Sequence, residues 1–332
     1  KAIRRQRQIC IRDSFETMMQ LTYLTFTAPR RDDDAFASYK NRSKAELQNM
    51  DLNPSSSFSD SITSTLYSKH PRTLRIKADM VDKMNYDKIL SMYQDRFKDA
   101  SDFTFILVGN VDVEAVKPLI ESYLGSLPSI NRKETFKDNH IAMRKGICKN
   151  EFIRQQETPK VNNFICYSGT CKYNLRNEIL MSMTDQLLNF IYTEKVREDE
   201  GGTYGVYPMG QLIKYPTEKA VLQIFFNTAP DKQEKLIKII YDEAEAFAKN
   251  GPDEASLNKV KEYMLKKHSE DLKENGYWLN SIDEYLYTGI DPVKDYEQII
   301  NSITPKDVQQ FANELLKQKN QITVSMISPE KK

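Results

Sequence analysis

Apolar residues recur at helical spacing along most of this chain, and strand-like runs interrupt them in a few places. Phe15, Met18, Met19, Leu21, Leu24 and Phe26 predict a helix over 14–28. It ends before Pro29, because a residue ahead of proline is pushed out of the helical region. Asp32-Asp33-Asp34 predicts the next start, since acids are favoured in a first turn, and that helix runs to about Met50. Asn53-Pro54-Ser55 breaks it, and Ser56 to Ser68 follows as a shorter helix closed by His70-Pro71. Residues 85–98 set Ile89, Leu90, Tyr93 and Phe97 on one face of another. Phe103–Val108 reads as a buried strand closed by Gly109-Asn110, and Val113 to Leu124 as a helix stopped by Gly125.

Residues 129–145 are polar and mixed and read as a linker. Two strands are expected beyond it, at about 146–155 and 161–168. A long helix from Asn174 to Glu198 then buries Ile179, Leu180, Met183, Leu187, Leu188 and Ile191. Strands at about 203–213 and 218–228 come next, then four helical segments over 230–316 and a last strand, Ile322–Ile327. Strands gathered early and at the end, with helices between, predict an α+β sandwich: a sheet covered by helices on one side.

The pattern also repeats. Residues 57–67, SFSDSITSTLY, echo 277–287, YWLNSIDEYLY. Shifted by 220 positions, Ser61-Ile62 falls on Ser281-Ile282 and Leu66-Tyr67 on Leu286-Tyr287. Upstream, Asp34-Ala35-Phe36 matches Glu254-Ala255-Ser256-Leu257 as the opening of a charged helix. The later copy carries strands and a helix ahead of its match, whereas the earlier copy has almost nothing ahead of it. Internal repetition fixes architecture. Residues 1–130 are therefore expected to be the back half of one unit, 131–145 a linker and 146–332 a complete second unit, all belonging to a longer parent polypeptide.

Composition narrows the function classes. The 332 residues hold 48 basic and 47 acidic side chains, a net charge of +1, which argues against a nucleic-acid binder that relies on overall charge. Lys1-Ala2-Ile3-Arg4-Arg5-Gln6-Arg7 is locally basic but carries no interleaved aromatics, and reads as a solvated stretch. No run approaches the ~20 apolar residues of a membrane span. Cys10, Cys148, Cys166 and Cys171 match no zinc ribbon, and His70, His140 and His268 are scattered. Cys166 and Cys171 flank an expected turn, Ser168-Gly169-Thr170, where a disulfide and a pair of free thiols are both open readings.

The candidate chemistry lies in Val196-Arg197-Glu198-Asp199-Glu200-Gly201-Gly202-Thr203-Tyr204-Gly205-Val206. An arginine ends the long helix, a glycine pair permits a sharp turn, and a tyrosine opens a strand. Arg197 offers a rigid fork of donors and Tyr204 a phenol. Together they suit a peptide carbonyl or a developing oxyanion. Tyr207 points to the opposite strand face if the strand is regular and is left out.

This segment resembles the helix–turn–strand element of the insulinase-like (M16, pitrilysin-type) zinc peptidases, whose C-terminal half carries an Arg and a Tyr seven apart. Phe105-Ile106-Leu107-Val108-Gly109-Asn110-Val111-Asp112, followed by Tyr123-Leu124-Gly125-Ser126-Leu127-Pro128, resembles the strand and helix that close a domain in that family. The resemblance implies tandem repeats of an insulinase-like α/β sandwich domain, an antiparallel-rich sheet covered by helices, with the first repeat truncated. It implies a zinc site, His-x-x-Glu-His plus a distal Glu, in a separate N-terminal half. This chain would be the substrate-clamping C-terminal half, with Arg197 and Tyr204 as catalytic contacts to the substrate carbonyl. The partners implied are that zinc-bearing half and a peptide substrate, with no nucleic acid, no membrane span, and self-association through the truncated unit. A non-catalytic scaffold or assembly subunit is the alternative on the same fold. Bacterial periplasm and cytoplasm are both compatible with the sequence. The zinc motif is absent here, so the chain alone is expected to bind no metal and to hydrolyse no peptide. Metal analysis of the purified chain should give well under one zinc per molecule, and about one per molecule would overturn this reading.

Overall fold

The computed structural model describes residues 15–198 and 205–329, with the backbone only at 197 and 198. The basic stretch 1–7, Cys10 and Tyr204 lie outside the described residues. The chain forms two compact units, one of residues up to 50 with 76–137, the other of 51–75 with 138 onward.

The first unit is helical. It contains α1 (Phe15–Thr27), most of α2 (Asp33–Leu52), α4 (Ala78–Asp82), α5 (Tyr86–Phe97) and α6 (Val113–Tyr123). Asn85 and Asp112 cap α5 and α6 by accepting N–H groups of their first turns, which leaves fewer orphan donors. The strand expected at Phe103–Val108 is not one: the segment joins no ladder. A strand needs a hydrogen-bonded neighbour, and among the described residues this unit supplies none. Side chains hold the segment instead, with Phe103 set edge-on to Phe26 at 4.9 Å and tilted on Phe97 at 5.5 Å. Asp99 fixes the polar stretch that follows, accepting the backbone N–H groups of Ser101, Ile130 and Arg132. Burial opposes its charge, yet these donors hold its pKa well below the usual carboxylate range.

The second unit is built on a five-stranded sheet in the order β1-β5-β2-β4-β3: β1 (Ile147–Ile153), β2 (Lys160–Thr170), β3 (Val206–Ile213), β4 (Lys219–Thr228) and β5 (Gln321–Ser328). Only β1 and β5 run parallel. The turn expected at Ser168–Thr170 is the end of β2, still paired with β4. Cys148, Cys166 and Cys171 are free thiols. Burial pushes the Cys166 thiol up to about 12.

One sheet face is covered by α7 (Leu175–Tyr192), α8 (Gln233–Asn250) and α12 (Pro305–Leu316), with α9 (Glu254–Asp271), α10 (Asn275–Thr288) and α11 (Tyr296–Ser302) completing the helical side. Five helices therefore fill 233–316 where four were expected. The periodicity explains the seating. Leu236, Ile240, Ala244 and Phe247 of α8, with Val308, Phe311, Ala312 and Leu315 of α12, share a core with Ile165, Leu222 and Ile224 of the sheet. Thr304 and Asp307 close a capping box ahead of α12, with Pro305 at its first position.

The sheet is not bare on its other side, as a one-sided sandwich would require. Helix α3 (Pro54–Leu66), capped by Asn53, seats Phe58, Ile62 and Leu66 against Phe164, Cys166, Val221, Ile322 and Val324. The Asn150 amide on β1 donates to the Ser61 and Thr65 hydroxyls. Because both faces are covered, the central strand β2 is buried at almost every position rather than at alternate ones. Leu66 is 5% exposed. Leu66→Ala should lower stability by about 2–4 kcal/mol in a urea melt, as for other buried leucines. A change under ~0.5 kcal/mol would mean that α3 does not hold the sheet.

Candidate functional site

Helix α7 positions the candidate region. Asn174 caps it by accepting the Asn177 N–H at 2.9 Å, and its buried face packs on the sheet. At its end the backbone widens into a π-helical segment, Thr193–Glu198, which carries Arg197. Tyr192 and Val196, both fully buried, hold this segment in the core. On the far side of the 199–204 stretch, β3 begins with buried Val206 opposite Phe226. The two arms flanking the Arg197–Tyr204 stretch are thus fixed by packing. The Arg197 side chain and Tyr204 lie outside the described residues.

β3 is an edge strand, and its outward side is protected. Pro208 has no N–H to offer, and the Gly210 N–H donates to Asp185 Oδ2 of α7 at 3.0 Å. Gly210 also permits the close approach of α7, because a Cβ there would collide with Met181.

Beside this edge lies a cavity of about 880 Å³, walled by α7, by Pro208 of β3 and by α9 to α11. Two polar stripes line it. Glu178, Ser182, Asp185 and Asn189 recur at helical spacing along α7, and Tyr277, Ser281 and Glu284 along α10. Tyr173 donates to Glu284 Oε1 at 2.9 Å. Burial pushes Glu178 up to about 7; the Tyr173 hydroxyl opposes this and Glu284 adds to it. His268 is 6% exposed, stacks on Tyr296 at 4.4 Å and shares a hydrogen bond with Tyr277 Oη at 3.2 Å. The cavity therefore sets carboxylates, a histidine and aromatic faces side by side. These residues were missed by motif reading. The signal was a polar stripe on an otherwise buried helix.

Among the described residues no three His, Cys, Asp or Glu side chains converge as a metal would require. His70 accepts the Arg72 N–H, His140 faces Asp138, and His268 is held by tyrosines. Among the described residues no helix is long and apolar enough to cross a membrane.

The family profile described as Peptidase M16 inactive domain matches residues 83–264, over half of the chain. A zinc protease PQQL-like of Arabidopsis thaliana is 24% identical over 292 residues, 80% of this chain and 29% of that protein. The probable zinc protease PqqL of Escherichia coli strain K12 is 21% identical over 311 residues, 91% of this chain and 32% of that protein. The crystal structure of the periplasmic protease PqqL from Escherichia coli superposes with a TM-score of 0.80 at 18% identity, over 95% of this chain and 35% of the other. The chain thus spans about a third of the length of the relatives it matches.

Asp185 supplies a test of the edge geometry. Burial raises its pKa from 3.8 to about 6, against the pull of the Gly210 and Gln186 N–H groups. The folded state then binds more protons than the unfolded one between these values, so stability falls as pH rises through that window. Asp185→Asn keeps an acceptor for Gly210 and removes the charge. It should match the parent below about pH 4 and exceed it above about pH 6, by at most ~3 kcal/mol. A constant difference across pH 4–8 in thermal melts would contradict the burial of this carboxylate.

Proposed function

The chain belongs to the M16 peptidase family, as its inactive-domain member, and on that premise we propose that it is the substrate-holding half of a zinc endopeptidase. The repeats are assigned as the back half of one M16-type domain, 1–130, and a complete one, 146–332. In this reading an N-terminal half supplies zinc, which polarises the scissile carbonyl and activates water when bound. The described residues of this chain gather no ligand set for that metal. The Arg197 guanidinium donates a planar pair of N–H groups, and the Tyr204 hydroxyl donates one more. Together they hold the carbonyl oxygen of an extended peptide and strengthen their grip as negative charge develops on it. Peptides are the proposed substrates. The periplasmic location given for the Escherichia coli relative is proposed only as a starting point for localisation.

The observation that carries the proposal is local. A buried helix ends in a π-helical segment bearing Arg197, and a protected edge strand begins two residues after Tyr204. π-Helical segments cost backbone regularity and are frequent at functional sites. Sequence spacing places an arginine and a tyrosine at the two ends of so short a connection.

In the enzyme reconstituted with its zinc-bearing half, Tyr204→Phe removes one donor and keeps the ring. Turnover should fall about 10–1,000-fold with little change in melting temperature. Arg197→Lys should also be impaired, because a point charge does not reproduce the planar fork. Parent-rate cleavage by Tyr204→Phe would sink the proposal and favour the scaffold reading.

A further inference from the structure

Two half-buried glutamates, Glu178 of α7 and Glu284 of α10, meet on the wall of the cavity of about 880 Å³. Tyr173 links them. It donates to Glu284 Oε1 and favours the charged form of Glu178, whereas Glu284 favours a proton there, as a neighbouring carboxylate must. Among the described residues no lysine or arginine is paired with either glutamate. The lysines at hand are committed elsewhere. Lys267, which lines the cavity, is bonded to Asp271 of its own helix. Lys214, in the adjoining groove with Glu284, donates to the Thr288 carbonyl. Asp185, farther along α7, accepts the Gly210 N–H.

A second observation points to an occupant. Buried His268 forms part of the cavity wall and shares its Nδ1 with Tyr277 Oη at 3.2 Å. Among the described residues its Nε2 has no hydrogen-bond partner. Buried polar atoms are rarely left so, and an unfilled valence facing a cavity suits a ligand. With Nδ1–H donated to Tyr277, Nε2 holds a lone pair and accepts an N–H. Phe190, Tyr263, Tyr277 and Tyr296 supply ring faces, which attract cations and cover alkyl chains. A recess of this size, with aromatic walls and a few convergent polar groups, has the build of a small-ligand site.

We propose that this cavity binds a guanidinium or alkylammonium group, held by Glu178 and Glu284, with an N–H given to His268 Nε2 and the alkyl chain laid along Tyr277 and Tyr296. The same group can come from a free amine or from an arginine or lysine side chain of a peptide. The inference does not rest on the substrate-holding role, so its failure leaves Arg197 and Tyr204 untouched.

The test is calorimetric titration of the full chain with butylguanidinium, and with butylurea as its neutral isostere. Butylguanidinium should bind saturably, with Kd on the order of 1 mM or tighter for so small a probe. Butylurea should bind at least about tenfold more weakly. Glu178→Gln and Glu284→Gln keep the shape of the wall and remove its charge. Each should weaken butylguanidinium at least about tenfold, with a melting temperature close to the parent's. A pentapeptide with a central arginine, set against its citrulline counterpart, assigns the source. Tighter binding of the arginine peptide than of butylguanidinium makes a peptide side chain the ligand, and binding of butylguanidinium alone makes it a free amine. Absence of saturable butylguanidinium binding would overturn the proposal. So would equal binding of butylurea, or parent affinity in both glutamine variants.

Discussion

A sheet with apolar residues on both faces must be covered on both sides, and the second unit depends on meeting that condition. Its β2, β4 and β5 send Ile165, Leu222 and Ile224 one way and Phe164, Val221 and Val324 the other. The helices that follow in the chain cover the first set. The second is covered by α3, which the sequence pattern assigns to the earlier repeat. Burying each such side chain contributes roughly 1.5–3 kcal/mol, so leaving the outer face in water would cost a large fraction of a domain's net stability. This is why a helix more than 80 positions upstream of β1 belongs to the compact unit of the sheet.

The same sheet sets the candidate site. α7 is clamped to it by a wide apolar face, with its polar stripe turned to the cavity. The clamp continues through Tyr192 and Val196 into the π-helical segment. From the other side, β3 is tied to α7 through Asp185 and Gly210. A buried helix end and a buried strand start therefore flank the stretch that carries the Arg and the Tyr.

Much of this was legible in the sequence. Period-3.6 apolar stripes located α1 and the start and buried face of α7, and β-branched and aromatic runs located β2, β4 and β5 to within two or three residues. What failed was whatever depends on a distant partner. Phe103–Val108 has strand-like composition but no neighbour to pair with, and composition cannot report a missing neighbour. The polar positions of α3 gave no hint that Asn150 would hold Ser61 and Thr65, because that contact crosses 85 positions or more. The stripe Glu178-Ser182-Asp185 was visible as spacing, but only packing shows that it lines a cavity. Within the candidate pair the residue types and their separation were readable, and the side-chain geometry was not.

In the proposed function this family member contributes substrate contacts, and the hydrolytic centre lies in the zinc-bearing half. The most direct measurement is hydrolysis of an unstructured fluorogenic peptide by the purified chain, by the zinc-bearing half and by an equimolar mixture, each with and without added zinc. The account predicts background rates for this chain under both conditions and cleavage by the mixture well above the sum of its parts. Chelator-sensitive cleavage by this chain alone, or a mixture no faster than the zinc-bearing half, would contradict it.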